Sequence, residues 1–480
     1  MSSTAVSRRR LLKSIGVLGL AVPVLAACGA PTVGGGSSGS TTSGSSSSSS
    51  TSSSSAAAPT SQAASGSATQ APQSQAAPSG GTTALSIATY AGIADEWQRE
   101  AAKTWATKNT DVKLTIDEVN YADAPKKQLA QLATGTMEDV YFSGIKWFPY
   151  SCAKGAFRAI DDYVKANDPG MSDFFSAAVA GASFEGKLYG LPYLMHPGNN
   201  ALIAFNKDML ASKGVAVPTD DWNTDDYVKL ATTMTDKANK IYGSNYFPNT
   251  YYDFCSLART FGGDDMSADG KKFTFGTDPK SVDAAHWAVD MRVKYQATPT
   301  QAESGSQAAQ LFPSGKLATS TAGTYSILGL GKTVGDKFKW DVVLFPKGLT
   351  GIRGYQGFVE CMSVFSKSKQ PEKAYDLVVA ESSKETQIMA VVKYQYQPGS
   401  RKSVWAAPEV TKINSIFGRA LQWMSDTPGP FPTPYNLRYS ELEDKWENTS
   451  KPLFYGQVDF QQGVQQVQQA CQAIMDEARP

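Results

Sequence analysis

Between Gly34 and Thr83 the chain holds no charged residue and no apolar side chain larger than alanine or proline. Such a segment cannot bury enough apolar surface to offset the entropy of ordering it, so folding is confined to the residues beyond it. Residues 29–83 therefore read as a disordered linker of serine, glycine, threonine and alanine. A flexible chain of this composition and length has an r.m.s. reach of roughly 40 Å. A folded body on such a tether can roam above a membrane while staying near a partner embedded in it.

Residues 1–28 have the organisation of a secretory signal: a basic head at Arg8-Arg9-Arg10, an apolar run from Ile15 to Ala27, and small residues before Cys28. The run is shorter than the roughly 20 residues a helix needs to span a bilayer, so it predicts export and not a permanent transmembrane anchor. Leu25-Ala26-Ala27-Cys28 resembles a bacterial lipobox, which implies that Cys28 becomes an acylated N-terminus anchored to the cell membrane. Stable anchoring takes more than one acyl chain, and a lipobox cysteine carries several. The paired arginines before Leu11-Leu12-Lys13 resemble a twin-arginine export signal, with leucine where that motif favours phenylalanine.

The expected folded body runs from Ala84 to Pro480. Four basic residues, Arg8, Arg9, Arg10 and Lys13, precede it and no acidic residue does, which leaves 41 basic side chains against 44 acidic ones. That balance gives no electrostatic attraction for nucleic acid. About 400 residues exceed what one hydrophobic core serves, so two lobes are expected. Nine tryptophans and 21 tyrosines, none before Tyr90, suit a cleft that meets a polar organic solute. Cys152, Cys255, Cys361 and Cys471 are widely spaced without metal-ligand rhythm, and spacing leaves disulfides or free buried thiols open. His196 and His286 are the only histidines, and no nucleophile elbow, zinc-peptidase or phosphate-loop motif accompanies them. The sequence thus predicts no catalytic residue, metal or cofactor.

The body opens in alternating style. Leu85–Tyr90 reads as a buried strand, Ile93, Trp97, Ala101 and Trp105 fall on one helical face, and Val112, Leu114 and Ile116 alternate as a second strand. A helix with Pro125 in its first turn ends at Gly135, and Val140-Tyr141-Phe142 supplies a third strand. This pattern predicts an α/β fold with mostly parallel sheets covered by helices. Ligands of such sheets sit at the carboxyl ends of the strands. Tyr90, Tyr121 and the Phe142–Trp147 loop, Ser143 included, lie just there.

Further along, Leu188-Tyr189-Gly190-Leu191-Pro192-Tyr193, Ala204-Phe205-Asn206-Lys207-Asp208-Met209-Leu210 and Pro218-Thr219-Asp220-Asp221-Trp222 occur in order. Then come Phe312-Pro313-Ser314-Gly315-Lys316-Leu317-Ala318, Ala322-Gly323-Thr324-Tyr325, and Tyr355-Gln356-Gly357-Phe358 leading through Phe365-Ser366-Lys367-Ser368 to Pro371-Glu372-Lys373-Ala374. As an ordered set these resemble family 1 extracytoplasmic solute-binding proteins, the maltose-binding-like group, across essentially the whole body. Leu317-Ala318-Thr319-Ser320 and Tyr325 depart from that family's commoner Ala-Ala-Met and tryptophan.

The resemblance implies a two-lobe periplasmic-binding-protein fold of type II, joined by crossing hinge strands. One lobe would comprise 84–197 and 352–398, the other 198–351 and 399–480. It implies a monomer that closes on a sugar or oligosaccharide and hands it to the membrane permease of an ATP-binding-cassette importer. It places ligand contacts at Phe142, Ser143, Tyr252 and Tyr325, with Tyr435 as a looser candidate. A pyranose suits such walls because its C–H face packs on a ring while its hydroxyls take directional hydrogen bonds. Asp95, Glu118 or Glu360 would accept those hydroxyls. Glu360 stands out, because an acid inside the apolar strand Phe358–Phe365 is costly unless paired. Two alternatives share these features: a binding protein for a polyol, phosphoester or peptide, and a tethered glycoside hydrolase with two carboxylates roughly 5 to 9.5 Å apart.

Overall fold

The computed structural model describes residues 82–92, 95–248, 250–304, 307–355, 357–426 and 437–478. Cys28, residues 29–81 of the linker and Tyr435 lie outside these residues; Thr83, the expected last linker residue, instead begins the first strand. Ten strands are described: β1 (Thr83–Ala91), β2 (Val112–Asn120), β3 (Val140–Gly144), β4 (Ser183–Phe184), β5 (Lys187–Leu188), β6 (Leu191–His196), β7 (Leu202–Asn206), β8 (Thr319–Ala322), β9 (Trp340–Leu344) and β10 (Phe358–Val364).

Two sheets organise them. The larger has the order β2-β1-β3-β10-β6 and the smaller β8-β7-β9, with β4-β5 a separate short hairpin. The helical face expected around Trp97, Ala101 and Trp105 is buried in the helix Asp95–Lys108, which joins β1 to β2. The next helix, Ala124–Thr134, carries Pro125 in its first turn and stops at Gly135, whose φ of 70° is the left-handed end that glycine tolerates. These crossovers make β1 parallel to both β2 and β3.

Among the named strands parallel pairing does not extend further, which corrects the expectation of mostly parallel sheets; beyond them only isolated parallel bridges, Tyr242 to Leu317 and Asn223 to Lys347, are described. β10 returns from a remote part of the chain and inserts antiparallel between β3 and β6. In the smaller sheet β7 runs antiparallel to both β8 and β9. The short connection from β6 to β7, Pro197–Ala201, carries the chain directly from the larger sheet to the smaller.

Each sheet has its own buried core. Leu85, Ile87, Val140, Phe142, Leu191 and Met362 belong to the first. Ile203, Phe205, Tyr251, Phe254, Leu442 and Trp446 belong to the second. A third core draws Ile145, Met195 and Val359 together with Leu202, Val342 and Trp405, so the region where the chain passes between sheets is itself apolar and packed. All four described cysteines are free and buried. Among the described residues no helix is long and apolar enough to cross a membrane.

Candidate functional site

The carboxyl ends of β1, β2 and β3 share one edge of the larger sheet, and β10 begins at that edge because it runs the opposite way. Tyr90 is the last residue but one of β1, Tyr121 follows β2, and Phe142 lies in β3. Tyr121 meets Tyr90 edge-on at 5.3 Å between ring centroids and Trp147 at 4.9 Å, while Phe142 lies 6.0 Å from Tyr90 and 6.4 Å from Trp147. Trp147 is positioned by a turn in which its amide donates to the Gly144 carbonyl at 3.1 Å, and the helix Phe148–Ala153 then begins with Pro149 in its first turn. A side chain at position 144 could not coexist with this arrangement. Its Cβ would stand 2.5 Å from the Tyr121 hydroxyl and 2.7 Å from the Trp147 ring.

On the other side the rings come from the elements around the smaller sheet. Tyr252 sits in the first turn of the helix Tyr251–Thr260, which Thr250 and Asp253 start with reciprocal side-chain to backbone hydrogen bonds. Tyr325 follows β8, and Gly323 gives it room, since a Cβ there would be 2.4 Å from the ring. Phe358 and His196 join the two sets. Phe358 stacks on His196 at 4.9 Å, meets Tyr252 edge-on at 5.4 Å and lies 6.5 Å from Tyr121, while His196 lies 5.5 Å from Tyr325. Six residues expected from sequence, Tyr90, Tyr121, Phe142, Trp147, Tyr252 and Tyr325, are thus linked through Phe358 and His196 into one continuous row of rings spanning both sheets.

Ser143 does not join them. It points to the opposite face of β3 from Phe142 and accepts a hydrogen bond from Gln128 Nε2 at 3.1 Å in an internal polar network. Glu118 is also elsewhere: it is exposed and pairs with Arg99. The side chain of Asp95 is outside what the structure describes.

Glu360 does belong to the site. It is two residues from Phe358 on the same strand and opposite Gly144 in the β3–β10 register, so it shares the face that carries the rings. It is 4 % exposed. The Tyr193 hydroxyl donates to its Oε2. Burial pushes its carboxyl up to about 7, and the hydroxyls of Tyr193 and Tyr121 offset part of that rise. His196 is held neutral: burial drives its imidazole down to about 3, while Nδ1 accepts from the Gly198 amide at 3.2 Å.

Besides Phe358 and His196, sequence reasoning missed three polar members, Asp253, Lys146 and Glu443. Asp253 is buried beside Tyr252, and desolvation raises it to about 7. The Thr250-x-x-Asp253 capping pattern marked its position but not its depth. Lys146, in the Phe142–Trp147 loop, reaches across to Glu443 of the helix Tyr439–Phe454 with Nζ 2.6 Å from Oε2, and its carbonyl accepts from Ser440 Oγ at 3.3 Å. Several buried groups here keep hydrogen-bonding capacity that the protein does not use: Thr89 Oγ1, Gln98 Nε2, Trp147 Nε1 and Glu443 Oε1. Stacking faces, directional donors and acceptors, and buried carboxyls together form a surface that can hold a polar organic molecule. A separate groove of about 700 Å³, lined by Lys213, Val217, Trp222 and Lys229 among others, shares none of these residues.

A two-lobe α/β protein with a ring-lined junction is the architecture of a solute-binding protein. Residues 100–416 match the bacterial extracellular solute-binding protein family, and the chain belongs to that family. A Brucella abortus (strain 2308) protein described as a binding protein is 23% identical over 309 residues, 62% of this chain and 71% of that one. Among solved structures, an ABC substrate-binding protein of Listeria monocytogenes in complex with cycloalternan superposes with a TM-score of 0.70 at 19% identity, covering 82% of this chain and 99% of that one. The sugar-binding protein MalE of Xanthomonas citri gives 0.71 at 17% identity, with coverage of 82% and 97%. The GacH receptor of Streptomyces glaucescens, solved unliganded and with acarbose, gives 0.68 at 20% identity, with coverage of 83% and 100%.

Proposed function

We propose that this protein binds a sugar or a related polyhydroxylated solute between its two lobes and delivers it to an ATP-binding-cassette import permease, without chemically changing it. The observation that carries this reading is the row of rings from Tyr90 to Tyr325, which draws on both sheets and meets at Phe358. A solute in contact with both halves of that row gains most of its contacts only when the lobes are closed, and so favours closure. The family, and sugar-binding proteins of the same fold, support binding over hydrolysis.

In this reading the first lobe comprises 84–197 and 352–398 and the second 198–351 and 399–480. The segment after Pro398 passes along the first lobe, where Arg401 donates to the Pro169 carbonyl, before the helix Ile416–Asp426 reaches β9. Residues 1–28 serve as an export signal, Cys28 as the lipid anchor and 29–82 as the tether, so a monomer stays within reach of its permease. Detergent-phase partitioning that is lost in Cys28→Ala tests the anchor.

Thermal denaturation against a panel of sugars, polyols, phosphoesters and short peptides tests the ligand class. A solute that binds only the folded form adds RT ln(1 + [L]/Kd), or about 2.7 kcal/mol at a hundredfold excess over Kd. A shift with sugars or polyols is expected. Shifts confined to peptides or phosphoesters, or release of shortened products from an oligosaccharide, would overturn the proposal.

A further inference from the structure

We infer that the solute carries a cationic amine as well as hydroxyls, an amino sugar or amino polyol, and that Glu360 receives the ammonium. This rests on the proposed sugar-type site and narrows it.

Among the described residues, the groups around Glu360 are phenols and a thiol. Tyr193 from β6 donates to it, and Tyr121 after β2, Tyr90, Tyr396 and Cys361 lie close enough to interact with its charge. None of these groups is basic. His196, the imidazole in the ring row, is neutral, and the lysine of this region, Lys146, is committed to Glu443. The stretch 427–436, outside the described residues, contains no charged residue, so it brings no cation either. A carboxyl this deeply buried either keeps its proton or is paired with a cation, and none of the described groups around Glu360 supplies that cation.

The walls fit the same ligand. Phenol faces carry negative charge density and attract a cation placed over them, more strongly where water is excluded. Tyr193 and the ring row that includes Tyr121 and Tyr90 lie about Glu360, with Phe358 two residues away on the same face of its strand. A neutral hydroxyl would gain one hydrogen bond there. An ammonium gains a desolvated ion pair in addition.

The pH effect has a definite sign. Glu360 holds its proton up to about pH 7, and an ammonium favours the ionised form, so binding below that pH expels a proton. Affinity for the amine should rise from pH 5.5 to pH 7. A neutral solute that leaves the carboxyl protonated should show no such rise.

Calorimetric titration of matched pairs tests this on the full-length protein: glucosamine against glucose, glucamine against sorbitol, and the glucosamine disaccharide against cellobiose. Each pair is run at pH 5.5 and 7 in two buffers of different ionisation enthalpy. The expected result is about tenfold or tighter binding of at least one amine over its neutral twin, with proton release at pH 5.5. Glu360→Gln should erase that preference. The pH and buffer dependence is read on the parent protein, so the test survives if the variant folds poorly. Equal or tighter binding of the neutral members would overturn the inference and leave the sugar reading standing. Binding of none of the six also overturns it, and the wider thermal panel then decides whether the sugar reading falls too.

Discussion

Lys146→Ala is expected to weaken solute binding roughly thirtyfold, because it leaves Glu443 buried on the closed side of the cleft without its cation. Glu443 is 6 % exposed and its Oε1 has no partner, so the ammonium at 2.6 Å is what compensates the charge. Removing one member of such a pair costs about 2 kcal/mol or more, chiefly through the charge left behind. Opening the lobes would hydrate that charge, so the loss falls on the closed form and hence on affinity. Desolvation raises the Glu443 carboxyl and Lys146 lowers it, so without the lysine the group takes a proton more readily. The defect should therefore be larger at pH 8 than at pH 5.5. In the double variant Lys146→Ala with Glu443→Ala, most of the affinity should return. Calorimetry on the single and double variants at both pH values reads all of this; additive losses in the double variant would show that the two residues do not act as a pair.

Phe358→Ala should remove the ring that joins the two halves of the site. Its neighbours are His196, Tyr252 and Tyr121, drawn from three separate parts of the chain, so no other ring can take over its contacts. A buried phenylalanine lost to alanine costs about 3 to 5 kcal/mol, and this half-buried ring should cost about 2 to 3 kcal/mol of folding stability. Solute binding should fall at least about tenfold beyond that, because the stacking surface is broken in the middle. Chemical denaturation and titration of Phe358→Leu separate the two effects. Leucine restores bulk but not a flat ring, so stability should largely recover while affinity does not. Recovery of both would reduce Phe358 to a packing residue.

The parts of this protein that were legible in sequence are those governed by local pattern. Pro125 and Gly135 bracket a helix, Trp97 and Trp105 mark its predecessor's buried face, and ring-bearing loops follow three strands in succession. The carboxyl-end rule then brings Tyr90, Tyr121 and Trp147 together without any knowledge of long-range contacts. Glu360 was visible for a different reason, as an acid inside an apolar strand. What could not be read was what pairing creates at a distance. Phe358 and His196 meet because β10 lies beside β6, and that register is absent from either segment alone. Lys146 and Glu443 are one loop residue and one helix residue among many charged ones, and only the approach of two separate cores makes them partners. Ser143 shows the converse. It sits between residues of the site along the chain, yet strand alternation turns it away. The antiparallel smaller sheet was missed because periodicity reports that a strand is buried, not which way its neighbours run.

One solute molecule is expected to lie between the two sheets against the row of rings, and every functional reading above depends on it. A crystal structure of the protein with the solute that gives the largest thermal shift tests this most directly. The solute should contact Tyr90, Tyr121 or Trp147 on one side and Tyr252 or Tyr325 on the other, with Phe358 between. A solute seated instead in the groove around Val217 and Trp222, or touching the rings of one sheet only, would contradict it.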